Sequence, residues 1–220
     1  MVVILFFLAI TPGVSENVLL EVNRRVCLRF AKPHGLQLAP GSYQLFAYKI
    51  PLKLQGNYLG RTLLFRFSPG NNEWGPGLGT LYVLRAKSAE GGSALLRKRG
   101  FFQKGEALVG DPEFDRCIAT RSRPVRFAAN LLSDPGLRKK VRRLICPIEW
   151  GPKRLTITKG GRIELLEVAG FLTVRHLEDR FTLLSELANA LERDPRRFEN
   201  GPNRAAPAER PAPLPNDATA

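Results

Sequence analysis

The strongest constraint on the fold comes from a seven-residue run, Gly110-Asp-Pro-Glu-Phe-Asp-Arg116. Asp111 can accept backbone hydrogen bonds at a turn and Pro112 fixes φ, so the chain is expected to change direction here. Phe114 is available to the core, and residues 114–120 are expected to continue as a strand. The run therefore predicts a structural corner made of Gly110, Asp111, Pro112, Phe114 and Asp115.

Upstream of this corner, the patterning predicts one helix followed by strands. Ser15 is a suitable N-cap and Gly35 a suitable stop, which predicts a helix over residues 15–34. Its expected apolar stripe consists of Leu19, Val22, Val26 and Phe30. Residues 43–104 then carry strand signals, with 55–60 as a connection and the basic run 97–99 at a turn or strand end, where charges protect sheet edges.

Downstream of the corner, the pattern changes to helix, helix, hairpin and helix. Residues 122–124 are expected to start a helix that ends near 132, and Asp134-Pro135 to start a second one. Gly160 and Gly161 favour a hairpin between two β-like runs. The final helix is predicted over 174–193, with a wide apolar stripe made of Leu177, Phe181, Leu183, Leu184, Leu187, Ala188 and Leu191.

This order of elements is typical of an α+β fold, an antiparallel sheet with helices packed on it. With 220 residues, a single domain followed by a tail is expected. The boundaries we predict are an apolar N-terminal segment over 1–14, the α+β domain over 15–193, and a disordered tail rich in proline and alanine over 194–220.

Residues 1–10 are apolar and uncharged. They are too few to span a bilayer, which takes about 20 residues. Three interpretations stay open: the end of a membrane helix whose beginning lies upstream, a buried strand, or a signal peptide, which here would lack its positively charged start.

The three cysteines, Cys27, Cys117 and Cys146, are far apart and form no Cys-x-x-Cys motif. We expect them to be small buried hydrophobic residues. Such usage favours a reducing compartment, and hence a location in the cytoplasm or at the cytoplasmic face of a membrane.

The net charge of +14 is concentrated in one part of the sequence. Residues 121–143 hold eight basic side chains and one acid, a net charge of +7. In the second predicted helix, Leu137, Val141 and Leu144 form the buried side. The other side carries the candidate anion-binding residues Arg138, Lys139, Lys140, Arg142 and Arg143. Such a side can face nucleic acid or anionic lipid, or can simply be solvated.

The sequence shows no arrangement of residues that indicates catalysis. His34 is explained by its place at a helix end, and His176 has no acid and nucleophile beside it in the sequence. The acids at 111, 113 and 115 resemble the start of a calcium loop, but Arg116 and Ser122 stand where glycine and glutamate are required. We therefore expect Asp111 to cap a turn, Glu113 to be solvated and Asp115 to pair with an arginine. No metal, cofactor or small-molecule substrate is predicted.

Two motifs resemble a family of uncharacterised bacterial proteins of unknown function that are often membrane-anchored. They are Gly56-Asn-Tyr-Leu-Gly-Arg61 before an apolar strand and the Gly-Asp-Pro-Glu-Phe-Asp-Arg run that ends at Arg116, followed by 131–137 and the Gly160-Gly161 hairpin. The resemblance covers about residues 15–193 and implies no catalytic residue or cofactor. Together with the basic helix, it favours a non-catalytic, membrane-associated accessory domain. The alternative is a nucleic-acid-binding domain, and an enzyme ranks third.

Overall fold

A computed structural model describes most of the chain between residues 12 and 193. The described residues are 12–39, 44–45, 48–49, 53–69, 78–87, 91–100, 107–147, 153–168 and 172–193. The predicted segment 1–14 therefore lies outside this part of the chain except for 12–14, and the predicted tail 194–220 lies wholly outside it. None of the described helices is long and apolar enough to cross a membrane.

The centre of the fold is an eight-stranded sheet in the order β1-β4-β5-β6-β10-β9-β7-β8, in which every neighbouring pair is antiparallel. Two further strands, β2 and β3, pair with each other. The strands are β1 Gln37–Ala39, β2 Gln44–Leu45, β3 Tyr48–Lys49, β4 Lys53–Tyr58, β5 Arg61–Pro69, β6 Leu78–Arg85, β7 Ser93–Lys98, β8 Ile118–Arg123, β9 Lys153–Ile157 and β10 Arg162–Val168.

Five helices in the described part of the chain accompany the sheet, which confirms the predicted α+β class. They are α1 Pro12–His34, α2 Pro112–Cys117, α3 Phe127–Leu131, α4 Pro135–Ile145 and α5 Val174–Arg193. Helix α5 lies on β6 and β10 and contacts α1, α3 and α4, while α2 lies beside α4 and β8. We call the side of the sheet that α5 covers the helix face, and the opposite side the open face.

The core lies between the helix face and α5. Leu63 and Phe65 of β5 and Tyr82 of β6 are fully buried there, because alternate residues of a strand point to the same side. The Phe181 ring of α5 meets the Tyr82 ring edge-on at 5.6 Å and stacks on Phe30 of α1 at 5.6 Å. The predicted stripe of α5 is confirmed, since all seven of its residues are buried.

Helix α1 differs from its prediction at both its start and its stripe. It begins at Pro12, so Ser15 lies within the helix and not at its start. Its buried side holds Cys27, Phe30 and Ala31 together with Asn23, whereas Val22 is 38% exposed. Asn23 faces inward because its Oδ1 accepts the backbone N–H of Leu172 at 2.8 Å. This hydrogen bond compensates the burial of the amide and sets the rotation of the helix.

The predicted connection 55–60 is mostly strand. Strand β4 continues to Tyr58, and the turn consists of Leu59 and Gly60, whose φ values are 50° and 75°. Positive φ at both central residues is the geometry of a tight hairpin turn that matches the strand twist. Two other expectations were also wrong in part: residues 114–117 are helical, and the helix predicted from Ser122 begins at Phe127 because β8 runs to Arg123.

The cysteines also depart from expectation. Cys27 is buried and free, and burial raises the pKa of its thiol to about 12. Cys117, at the end of α2, and Cys146, just after α4, form a disulfide with a Cα–Cα distance of 6.0 Å, a separation typical of such bridges. The pairing removes the support that three free cysteines gave to a reducing compartment.

Candidate anion-binding surfaces

Helix α4 folds as the sequence predicts. Asp134 caps it by accepting the backbone N–H groups of Gly136 and Leu137, and Pro135 occupies the first turn. These contacts satisfy donors that have no partner inside the helix. Leu137 and Val141 are buried on its inner side. The basic side chains of α4 therefore lie on the part of the helix that faces away from the core.

Three of the five candidate cations of α4 are bound to carboxylates of the same chain. Each ion pair joins α4 to another element. They are Arg138 Nε with Asp111 at 2.8 Å, Lys140 Nζ with Glu186 of α5 at 2.5 Å, and Arg142 with Glu113 of α2. Glu113 is exposed, as expected for a solvated side chain, and it also makes an ion pair that was not predicted. Among the described residues, Lys139 and Arg143 have no ion-pair partner and are exposed.

The corner at Gly110 is the counterpart of α4. Asp111 caps α2 by accepting the N–H groups of Glu113 and Phe114, and the hydrogen bond from Phe114, with the nearby Arg138 charge, lowers the pKa of Asp111. Asp115 does not pair with an arginine as expected, because its carboxylate accepts the backbone N–H groups of Val109 and Gly110. Phe114 is fully buried as predicted. The corner and α4 form one braced structural unit.

The open face carries a much less balanced set of charges. In an antiparallel pair, directly opposite residues point to the same side, and Arg61 of β5 points to α5, where it pairs with Glu192 at 2.7 Å. Because successive residues of a strand point to opposite sides, the residues next to Arg61 and next to its cross-strand equivalents point to the open face. Its charged residues on the described strands are Lys53, Arg66, Arg85, Arg97, Arg121, Arg123, Arg154 and Arg162, with Glu164 as the one acid. The net charge of this set is +7.

Three pairs of these basic residues stand directly opposite each other on neighbouring strands. They are Lys53 with Arg66, Arg154 with Arg97, and Arg85 with Arg162. Like charges in direct opposition are destabilising. Glu164 relieves part of this repulsion, since it pairs with Arg162 at 2.5 Å. The open face thus concentrates like charge at a cost in stability, whereas α4 pairs most of its cations with acids.

The two surfaces lie on opposite sides of the sheet, because α4 packs on β9 and α5. The open face also has a shallow depression of 470 Å³ at its β4–β5 end, where Lys53, Gln55 and Thr62 are among the lining residues. A second cleft, of 380 Å³, lies between α3, α4 and α5 and contains the ion pair of Lys140 with Glu186. The second cleft has acids and bases together, so it offers no net attraction to an anion.

No protein-family model and no curated protein sequence matches the chain. A solved structure that resembles it is the crystal structure of the mycobacterial trehalose monomycolate transport factor A. The two share 12% identity over 76% of this chain and 93% of the other, with a TM-score of 0.48. A likeness this distant carries no argument about function.

The groups considered for catalysis are separated in the structure. His176 Nε2 lies 2.6 Å from Oε1 of Glu167 on β10, and Arg180 binds the same carboxylate at 3.2 Å. Asp111 and Asp115 belong to the corner beside α4, as described above. Burial opposes the ionisation of Glu167, but the hydrogen bond from His176 and the charge of Arg180 outweigh it and lower its pKa. Sequence analysis missed this pairing because its two residues belong to different elements.

No group of three or more His, Cys, Asp or Glu side chains that could hold a metal ion occurs among the described residues. Residues that sequence analysis did not select form the open face instead. The signal for it is weak in the sequence, because each strand that contributes supplies only one or two basic residues. Their common orientation follows from the sheet order and register.

Proposed function

We propose that this protein is a non-catalytic accessory domain that binds a negatively charged partner, and that the open face is its contact surface. The observation that carries the proposal is the opposition of like charges in three cross-strand pairs of that face. A surface that keeps such charge together at a cost in stability is favoured where a partner neutralises it. Helix α4, which the sequence favoured, serves as a brace because three of its five cations are already bound.

Edge protection does not explain the charge. Arg97 lies in β7, which has β9 on one side and β8 on the other, so the basic run 97–99 does not guard a sheet edge as we expected. Arg66 lies in β5, between β4 and β6. Charges that guard a sheet against edge-to-edge association belong on edge strands. The arginines of these inner strands therefore need another explanation, which an anionic partner supplies.

The test compares two double variants that remove the same amount of charge. Arg66→Gln with Arg97→Gln changes the open face, and Lys139→Gln with Arg143→Gln changes α4. On a heparin column, we expect the open-face variant to elute at clearly lower salt than the wild type, and the α4 variant to elute close to it, because contacting cations set the salt dependence. Equal shifts for both variants, or a larger shift for the α4 variant, would refute the assignment.

The same variants separate binding from stability. Because Arg66 and Arg97 each face another basic residue, we expect their replacement to leave the melting temperature unchanged or to raise it slightly. A lower melting temperature would mean that these cations stabilise the fold, and the main support for the proposal would be lost.

A further inference from the structure

The middle of the open face is apolar. Leu81 of β6 stands directly opposite Leu166 of β10, and Leu64 of β5 stands opposite Val83 of β6. The three leucines are half-buried, and Val83 is 6% exposed. Since positions two residues apart in a strand share a face, these four side chains form one cluster. We call it the apolar quartet. Helix α5, which packs on β6 and β10, lies on the other side of the sheet.

Cations stand on both sides of the apolar quartet. The register gives one row across seven strands, which runs Lys53, Arg66, Leu81, Leu166, Arg154, Arg97 and Ala119. Two basic residues therefore stand on each side of the pair formed by Leu81 and Leu166. Because neighbouring strands are about 4.8 Å apart, the row is about 29 Å long. This row therefore combines an apolar centre with basic ends, while Gln55 and Glu164 flank the neighbouring row of Leu64 and Val83.

We propose that the partner of the open face is a lipid bilayer with anionic headgroups, and that the half-buried Leu64, Leu81 and Leu166 of the apolar quartet contact the headgroup region while the surrounding cations bind the lipid charges. This inference rests on the proposed function and names its partner. Interfacial binding of this kind draws on buried apolar area together with attraction between basic residues and anionic lipids. The sheet would then lie against the membrane, with its helix face turned away.

Nucleic acid matches this surface less well. Proteins that bind single strands stack bases on aromatic side chains, and the described strands place no aromatic residue on the open face. A duplex presents charged backbones, and its major groove admits a helix or a two-stranded ribbon but not a broad sheet, so the apolar centre of this face has no counterpart. Lipid supplies both the charge and the apolar contact that this face can use.

The experiment is a sedimentation assay at ~150 mM salt, where surface charges are screened within about 8 Å. The full chain is mixed with vesicles of phosphatidylcholine alone, or of phosphatidylcholine and phosphatidylglycerol in equal parts. We expect binding to the mixed vesicles and little to phosphatidylcholine alone. Because each basic residue near such a surface contributes about 1 kcal/mol, Arg66→Gln with Arg97→Gln should weaken binding roughly 30-fold, and the α4 double variant about twofold or less.

A second variant tests the apolar quartet without changing charge. Leu81→Ala with Leu166→Ala removes apolar contact, so we expect roughly tenfold weaker binding to mixed vesicles with unchanged elution from heparin. Leu95→Ala, on the same face but outside the quartet, is the control for loss of a half-buried leucine from the sheet. If the double leucine variant fails to fold, the arginine variant and the comparison of lipids still decide the proposal.

The results distinguish this inference from the proposed function. Heparin elution that depends on the open face, without binding to mixed vesicles, would refute the lipid partner and leave the proposed function standing. Tighter binding to duplex DNA or to RNA than to vesicles, lost in the arginine variant, would replace lipid with nucleic acid. Absence of any effect of the arginine variant on either heparin or vesicles would refute both.

Discussion

Loss of the disulfide between Cys117 and Cys146 should lower the free energy of unfolding. The size of the decrease follows from the length of the loop that the disulfide closes. The two residues are 29 positions apart. A cross-link over a loop of that length removes unfolded-state entropy worth about 3.6 kcal/mol at 25 °C. The ion pairs of Arg138 with Asp111 and Arg142 with Glu113 join the same two elements and persist without the bond. The native arrangement of α2 and α4 is therefore expected to survive reduction.

Urea unfolding of the oxidised protein and of Cys117→Ser with Cys146→Ser measures this difference. Both positions are half-buried, so serine can replace the half-cystines with little cost of its own. For a domain of this size, the expected loss lowers the melting temperature by roughly 10 °C. A thiol titration tests whether the pairing exists. The protein is refolded with oxidised glutathione, and its thiols are then titrated in denaturant without reductant. One reactive thiol, that of Cys27, is expected, and three would show that no bond forms.

Two further predictions concern the packing and the buried charges of the helix face. Gly92→Ala should destabilise the protein by about 1–3 kcal/mol in urea unfolding, because an added Cβ would overlap the ring of Phe127. The control is Gly160→Ala, where the added Cβ meets no other atom. Its free energy of unfolding should stay within about 0.5 kcal/mol of the wild type. Glu167→Gln should cost about 1.5–3 kcal/mol, since it removes the buried carboxylate charge to which the half-buried Arg180 is bound. Because the folded-state pKa of Glu167 is lowered, its stabilisation is present above the unfolded value of about 4.3 and is lost as the pH falls through the folded value. The variant should therefore show a flatter decline in stability below about pH 4.3 than the wild type, and an equally steep decline would contradict this role.

Elements with a long, regular pattern could be predicted from the sequence. Helix α5 occupies the predicted residues, α4 begins at the predicted Asp134-Pro135, and the β9–β10 hairpin turns at the predicted Gly160-Gly161. Their stripes or alternation repeat several times, and caps or glycines mark their ends. Helix α2 was missed because six residues are too few for a helical period to appear, although its cap Asp111 was identified.

The rotation of α1 shows a different limit. Four apolar residues at helical spacing predicted its buried side. Phe30 is buried and Val26 packs against the core as predicted, yet Val22 is exposed and Asn23 is fully buried. A polar residue faces the core only when a partner there satisfies it, and that partner is the backbone of Leu172, 149 residues away. No pattern inside the helix contains this information.

The candidate surface shows the same limit on a larger scale. The sequence concentrates charge in residues 121–143, which made α4 the natural candidate. Folding changes that ranking, because α4 finds acids on α2 and α5 while strands from distant parts of the chain bring their arginines to one side. Local charge density measures what a segment could bind, but the ion pairs made in the fold decide what charge is left for a partner. On that criterion the open face has the stronger claim, because Lys53 stands opposite Arg66 and Arg85 opposite Arg162, and Glu164 is the one acid that the described strands place on that face.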